Sequence, residues 1–137
     1  MGRGLSELQQ AIIVMAYKNK ATGADAYHDD SGPVAAAHVK RESILREYFG
    51  WQSDDARPDY HYRTFSRADI GRERYNATMV SLSRSLHRLE ARGLVYLTHS
   101  VMAAGWSGAE LTEEGEAEAE RILQRREGQD QRRNAIG

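Results

Sequence analysis

Arg84 and Arg88 stand four residues apart, one helical turn, and Ala77, Ser81 and Ser85 recur beside them at the same spacing. A guanidinium group offers donors in a planar fork that matches phosphate oxygens and the acceptor edge of guanine. Hydroxyls donate or accept, and small side chains allow close approach. The chemistry on offer is noncovalent recognition of an anionic, acceptor-rich surface. Asn76 and Thr78 add polar groups at the start of the same strip, and Arg67, Arg72 and Arg74 lie just ahead of it.

Covalent chemistry has less to work with. Ser83 and His87 share a helical spacing, but no third orienting residue or set of oxyanion donors accompanies them. There is no phosphate-cradling glycine loop, dinucleotide fingerprint, zinc pattern or calcium loop. His28, Asp29 and Asp30 are neighbours in a Gly- and Asp-rich stretch without matching ligands elsewhere, a poor basis for a metal site. Cysteine is absent, which removes disulfides and thiolate chemistry together and suits a reducing cytosol. Asn76-Ala77-Thr78 has the form of a glycosylation sequon in a chain with no sign of secretion. No catalytic residue, no metal and no cofactor is assigned, and a cytoplasmic, non-membrane protein is expected.

The strip must be carried by a helix with a buried opposite side. Met79, Leu82, Leu86 and Leu89 fall at steps of three, four and three, so they line that side. Asn76 reads as N-cap, with Tyr75 and Val80 as a hydrophobic staple. Gly93 reads as the left-handed residue of a Schellman cap, with Leu94 packing back on Leu89. The helix is predicted over about Asn76–Arg92. Just upstream, Ser66 as cap, Asp69 at the third position and Phe65 facing Ile70 predict a short helix ending at Gly71, with residues 72–75 as the turn between the two. Downstream, 95–102 and 106–111 are rich in β-branched and aromatic residues around Ala103-Ala104-Gly105, which predicts a hairpin.

The run from Met79 to Val95, followed after the hairpin by Leu111-Thr112-Glu113-Glu114-Gly115, resembles winged helix-turn-helix regulators, broadly of the MarR-like kind. The resemblance covers roughly residues 65–123. It implies a mainly α fold with a small β-hairpin (α+β), helix-turn-helix over about 65–93, wing over about 94–111 and a C-terminal helix over about 112–126. It also implies a transcriptional regulator that lays the helix over 76–92 in the DNA major groove. In that reading Arg84 meets a guanine edge or phosphate, Ala77, Thr78, Ser81 and Ser85 sit at bases or phosphates, and Arg88 holds backbone. Asn76 meets a phosphate at the positive helix end, and Arg67, Arg72 and Arg74 add sequence-independent attraction. The alternative is a winged helix used as a protein–protein adaptor, with the arginine face on an acidic partner.

Charge distribution agrees with a polyanion partner. The 137-residue chain has a formal net charge of only −1, yet between Arg57 and Gly93 eight arginines face four carboxylates, while acid gathers at 25–30 and 113–120. Arg57 and Arg63 join this basic segment; Arg132 and Arg133 read as solvated. No Lys or Arg falls between Gly93 and Glu120, so the wing lacks the usual minor-groove cation, and His99, Ser100 and Ser107 are left to touch backbone while Trp106 reads as core.

The remaining segments read as support. A capping box at Ser6 and the apolar positions Leu5, Leu8, Ile12 and Met15 predict a first helix over about 5–18. Ile13, Val14 and Tyr17 widen its apolar surface beyond one stripe, which predicts a second copy of the chain docked there, a homodimer through the N- and C-terminal helices. Residues 19–33 read as a mobile loop. Residues 34–38 lead into a second helix, with Val39, Ile44, Leu45, Tyr48 and Phe49 buried and Gly50 as its stop. Tyr60 and Tyr62 are candidates for a short strand pairing with the wing. One domain over 1–126 and a disordered polar tail over 127–137 complete the reading. Whether a small-molecule effector binds is not written in the sequence.

Overall fold

The first helix, α1 (Glu7–Thr22), begins where the capping box places it: the Gln9 backbone N–H donates to Ser6 Oγ at 3.1 Å and the Ser6 N–H to Gln9 Oε1 at 3.0 Å. In the computed structural model, which describes residues 4–29, 32–34, 36–52, 65, 67–99 and 106–136, α1 runs past the expected Lys18 to Thr22. Leu8, Ile12, Ile13, Val14 and Ala16 are all buried. Much of the apolar surface of α1 is covered within the chain, because it packs on two other helices and two strands, while Met15 and Tyr17 are only partly buried. That accounts for Ile13 and Val14 without a second protomer.

After α1 the chain forms a two-stranded antiparallel hairpin, β1 (Tyr27–Asp29) and β2 (Gly32–Val34), with Tyr27 opposite Val34. The expected loop over 19–33 is therefore partly helix and partly strand. β3 (His38–Lys40) follows, and only then α2 (Arg41–Glu47). Val39 is buried as expected, but in a strand, and α2 ends before Tyr48 rather than at Gly50. The reason is pairing: Val39 lies opposite Ala109, whose strand supplies the hydrogen bonds a helix would have made internally.

His38 pins this region. The Asp25 carbonyl can only accept, so His38 Nδ1 donates to it at 2.8 Å, and Nε2 is hydrogen-bonded to Thr98 Oγ1 at 2.8 Å. Asn19 donates to the His38 carbonyl at 3.0 Å, and the Asp25 carboxylate accepts from the Lys40 N–H at 3.0 Å. The connection out of α1 is thus fastened to the sheet.

A one-turn helix, α3 (Arg67–Ile70), is followed by α4 (Arg72–Ala91), then by β4 (Val95–His99), β5 (Trp106–Leu111) and α5 (Glu113–Ile136). β3, β5 and β4 form one antiparallel sheet with β5 central. The predicted hairpin is present; its tip, its third-strand candidates Tyr60 and Tyr62, and Ser66 lie outside the described residues. The strand that joins the hairpin is β3. Val39, Val95, Ala109 and Leu111 on the inner face of the sheet meet Ile12, Ile13, Ile44, Leu82, Leu86, Leu89 and Ile122 in a single core.

α5 departs from expectation in length. Ala119 and Ile122 are buried along its first half, where Tyr17 donates to Glu120 at 3.1 Å and Lys20 to Glu116 at 2.7 Å on the α1 side. Glu120, by accepting that bond, holds the Tyr17 phenol above its ordinary range. Beyond Leu123 the helix continues through the expected tail to Ile136. Once the packed half has nucleated it, Gln, Arg and Glu propagate a helix that buries almost nothing.

Candidate nucleic-acid interface

The start of α4 lies one turn earlier than expected. Residues 72–75 are helical, and the only break from α3 is Gly71, at φ 97° and ψ 130°, a backbone conformation L side chains rarely adopt. Asn76 is therefore inside the helix and not its cap. Tyr75 extends the apolar stripe by one step, giving Tyr75, Met79, Leu82, Leu86 and Leu89 at spacings of four, three, four and three. Instead of stapling to Val80, the Tyr75 ring stacks on Trp51, with centroids 5.2 Å apart and planes at 20°. Phe65 meets the same indole edge-on at 5.6 Å, and the Arg67 guanidinium lies 4.8 Å from the Tyr75 ring centroid.

The far end of α4 is closed as the sequence predicts. Gly93 takes φ 76°, its N–H donates to the Glu90 carbonyl at 2.9 Å, and the Leu94 N–H donates to the Leu89 carbonyl at 3.0 Å. That is the Schellman pair of bonds. Thr112 then ties this end to α5: its hydroxyl donates to the Gly93 carbonyl at 2.6 Å and accepts the Gly115 N–H at 3.0 Å as the N-cap. A Cβ on Gly115 would overlap the Leu94 carbonyl oxygen, so the Thr112-Glu113-Glu114-Gly115 turn requires glycine for close approach. The two ends of α4 are thereby anchored independently of its outer side.

On the inner side Leu82, Leu86 and Leu89 are wholly excluded from solvent. On the outer side Asn76, Ala77, Ser81, Arg84 and Arg88 are exposed, and Thr78 and Ser85 are half-buried at its border. Asn76, Ala77, Val80, Ser81, Arg84, Ser85 and Arg88 together line a shallow open depression. No acidic residue occurs from Tyr75 to Leu89. Among the described residues, no carboxylate lies within 4.0 Å of the Arg72, Arg74, Arg84 or Arg88 guanidinium groups. Arg67 is exposed but committed to Tyr75, and Arg72 and Arg74 are exposed on the first turn of α4 rather than in a linking turn.

Val80 also lies elsewhere than the staple expected from the sequence. It is 50% exposed and sits in the depression beside Arg84. Counting about 100° per residue from Ala77 puts it on the outer side, a signal hidden by assigning it to a staple. On the hairpin, Ser107 donates to the Thr98 carbonyl at 3.2 Å, so it braces the strands, and Trp106 is half-buried with Arg41 5.6 Å from its ring centroid. His99 is exposed at the end of β4. Ser100, Arg57 and Arg63 lie outside the described residues.

His87 is exposed, with Nδ1 4.0 Å from Glu90. Among the described residues no group of three or more His, Asp or Glu could hold a metal, and no helix is long and apolar enough to cross a membrane. The side chains of 28–30 lie outside the described ones. No protein-family model, curated protein or solved structure matches this chain.

Proposed function

We propose that this protein is a DNA-binding regulator of winged-helix type that lays α4 in the major groove. The observation that carries the reading is the outer strip of α4, residues 76–88, which has no carboxylate, two unclaimed guanidinium groups one turn apart and a floor of Ala and Ser. An α-helix with its side chains is about 10–12 Å across and the major groove about 12 Å wide, so a helix with small outer side chains enters it. The order helix, strand, helix, helix, strand, strand from α1 to β5, leaving aside the β1–β2 hairpin and the one-turn α3, supports the winged-helix assignment, with β4–β5 as wing.

In this assignment α2, and not the short helix expected just before the turn, takes the place of the helix before the recognition helix, because that short helix is the one-turn α3, which with Gly71 sets where α4 begins. Arg84 reads a guanine edge, Arg88 and Arg74 hold phosphates, and Asn76, Thr78, Ser81 and Ser85 supply shorter hydrogen bonds. No catalytic step is assigned. A homodimer through the N- and C-terminal helices would double the contact; on α1 it would use Met15 and Tyr17, which are only partly buried. The second half of α5 is exposed as well.

The absence of Lys and Arg from Gly93 to Glu120 favours the second reading, an adaptor that meets an acidic protein through α4. Binding of the full chain to mixed-sequence duplex DNA across a range of salt separates the two. For the DNA reading, log K falls linearly with log salt, and Arg88→Ala lowers the slope by about 1. Binding that is absent or insensitive to salt gives the adaptor.

A further inference from the structure

We infer that Val80 is a base-reading residue that packs on the 5-methyl group of a thymine next to the base pair met by Arg84. The inference rests on the DNA reading of α4 and adds to it a chemical preference for particular bases. Val80 is half exposed in the middle of an otherwise polar strip, with Ala77 one turn before it and Arg84 one turn after it. Leu82, Leu86 and Leu89 on the other side of the helix are fully buried, so the core does not require an apolar residue at position 80.

The surroundings of Val80 select its partner. Four unclaimed guanidinium groups on α4 draw a polyanion, and Asn76 and Ser81 flank the valine with groups suited to base and phosphate oxygens. The major groove of double-stranded RNA is too deep and narrow for a helix, so of the two duplexes it is DNA whose groove α4 fits. In the DNA major groove the only apolar feature on a base edge is the thymine methyl. Residues i and i+4 on a helix lie about 6 Å apart and base pairs about 3.4 Å, so Val80 and Arg84 reach pairs one or two steps apart. A branched side chain with few rotamers meets a methyl at little entropic cost.

The test removes that methyl and nothing else. Duplexes are selected from a random library by the full chain, and the tightest is resynthesised with deoxyuridine replacing thymine, one position at a time. The wild type is expected to weaken about fourfold at one or two positions adjacent to a guanine, the effect of one methyl leaving an apolar contact. Val80→Ala, at a surface position, should fold as the wild type does by circular dichroism, bind the thymine duplex about as weakly as the wild type binds the deoxyuridine one, and show no further loss on substitution. Selected duplexes that bind tightly with no position sensitive to deoxyuridine would overturn the role of Val80 while leaving the DNA reading intact. Equal sensitivity in wild type and Val80→Ala overturns it as well. Failure to select any duplex overturns the DNA reading itself.

Discussion

Thr112 Oγ1 lies 2.6 Å from the Gly93 carbonyl oxygen and donates to it, so one hydroxyl joins the last turn of α4 to the first turn of α5. The same oxygen accepts the Gly115 N–H. Thr112→Val keeps the shape and removes both bonds, leaving a cap donor unpaired, and is expected to cost about 1–2 kcal/mol. Thr112→Ser should restore most of it. Gly115→Ala is expected to cost as much or more, about 1–3 kcal/mol, because the new methyl meets the Leu94 carbonyl and backbone cannot swing aside as a side chain can. Urea unfolding of the three variants reads the order directly; a Thr112→Val protein as stable as the wild type would remove the hydroxyl from this account.

Gly71 separates backbone strain from crowding. A Cβ built there has nothing within 4 Å, yet φ is 97°. Gly71→Ala is expected to destabilise by about 1–3 kcal/mol through conformation alone. Gly4→Ala is the control, since that site is equally open and has no positive φ. Equal stability of the two variants would mean that α3 and α4 merge without strain.

How much of this could be read from the chain differs by element, for physical reasons. The inward side of α4 was legible because three fully buried leucines repeat with the helical period, and its end because Gly93 and Leu94 make a cap that is local in sequence. Its start was obscured by Asn76, a good cap by composition, whereas Tyr75 in register with Met79 and Leu82 carried the true signal. β3 could not be read locally: three residues of mixed character become a strand because β5 supplies their partners. The second half of α5 is a helix by propensity and propagation, which a search for apolar period does not detect. The exposure of Ala77, Ser81, Arg84 and Arg88, with Thr78 and Ser85 at the border, follows from the buried side once that is known, whereas Asn76 and Val80 are obscured by the cap and staple they resemble.

Trp51 tests how α4 is seated. Its indole is 3% exposed, stacked on Tyr75, and its Nε1 has no hydrogen-bond partner among the described residues. Trp51→Phe removes a buried donor that gains nothing from burial while keeping a ring on Tyr75, so its loss should be well below that of Trp51→Ala, which is expected to cost about 3–5 kcal/mol. Trp51→Phe as damaging as Trp51→Ala, by thermal unfolding, would show that the indole nitrogen is engaged.

Arg84 and Arg88 are one turn apart on the same exposed side, yet they are expected to fail differently. Arg84 lies beside Val80 and Ser81 in the depression, and if its fork meets guanine, Arg84→Ala should cost about 1–3 kcal/mol on a selected duplex and much less on mixed sequence. Arg88→Ala should weaken both alike and flatten the salt dependence, since a phosphate contact carries no sequence information. Arg84→Lys sharpens the contrast: it keeps the charge and loses the paired donors, so it should behave as wild type on mixed DNA and near Arg84→Ala on the selected duplex. Titrations of the three variants on both duplexes at two salt concentrations measure this. Uniform weakening by Arg84→Ala on every sequence would move Arg84 to the phosphate backbone and leave base reading along that turn to Val80 and Ser81.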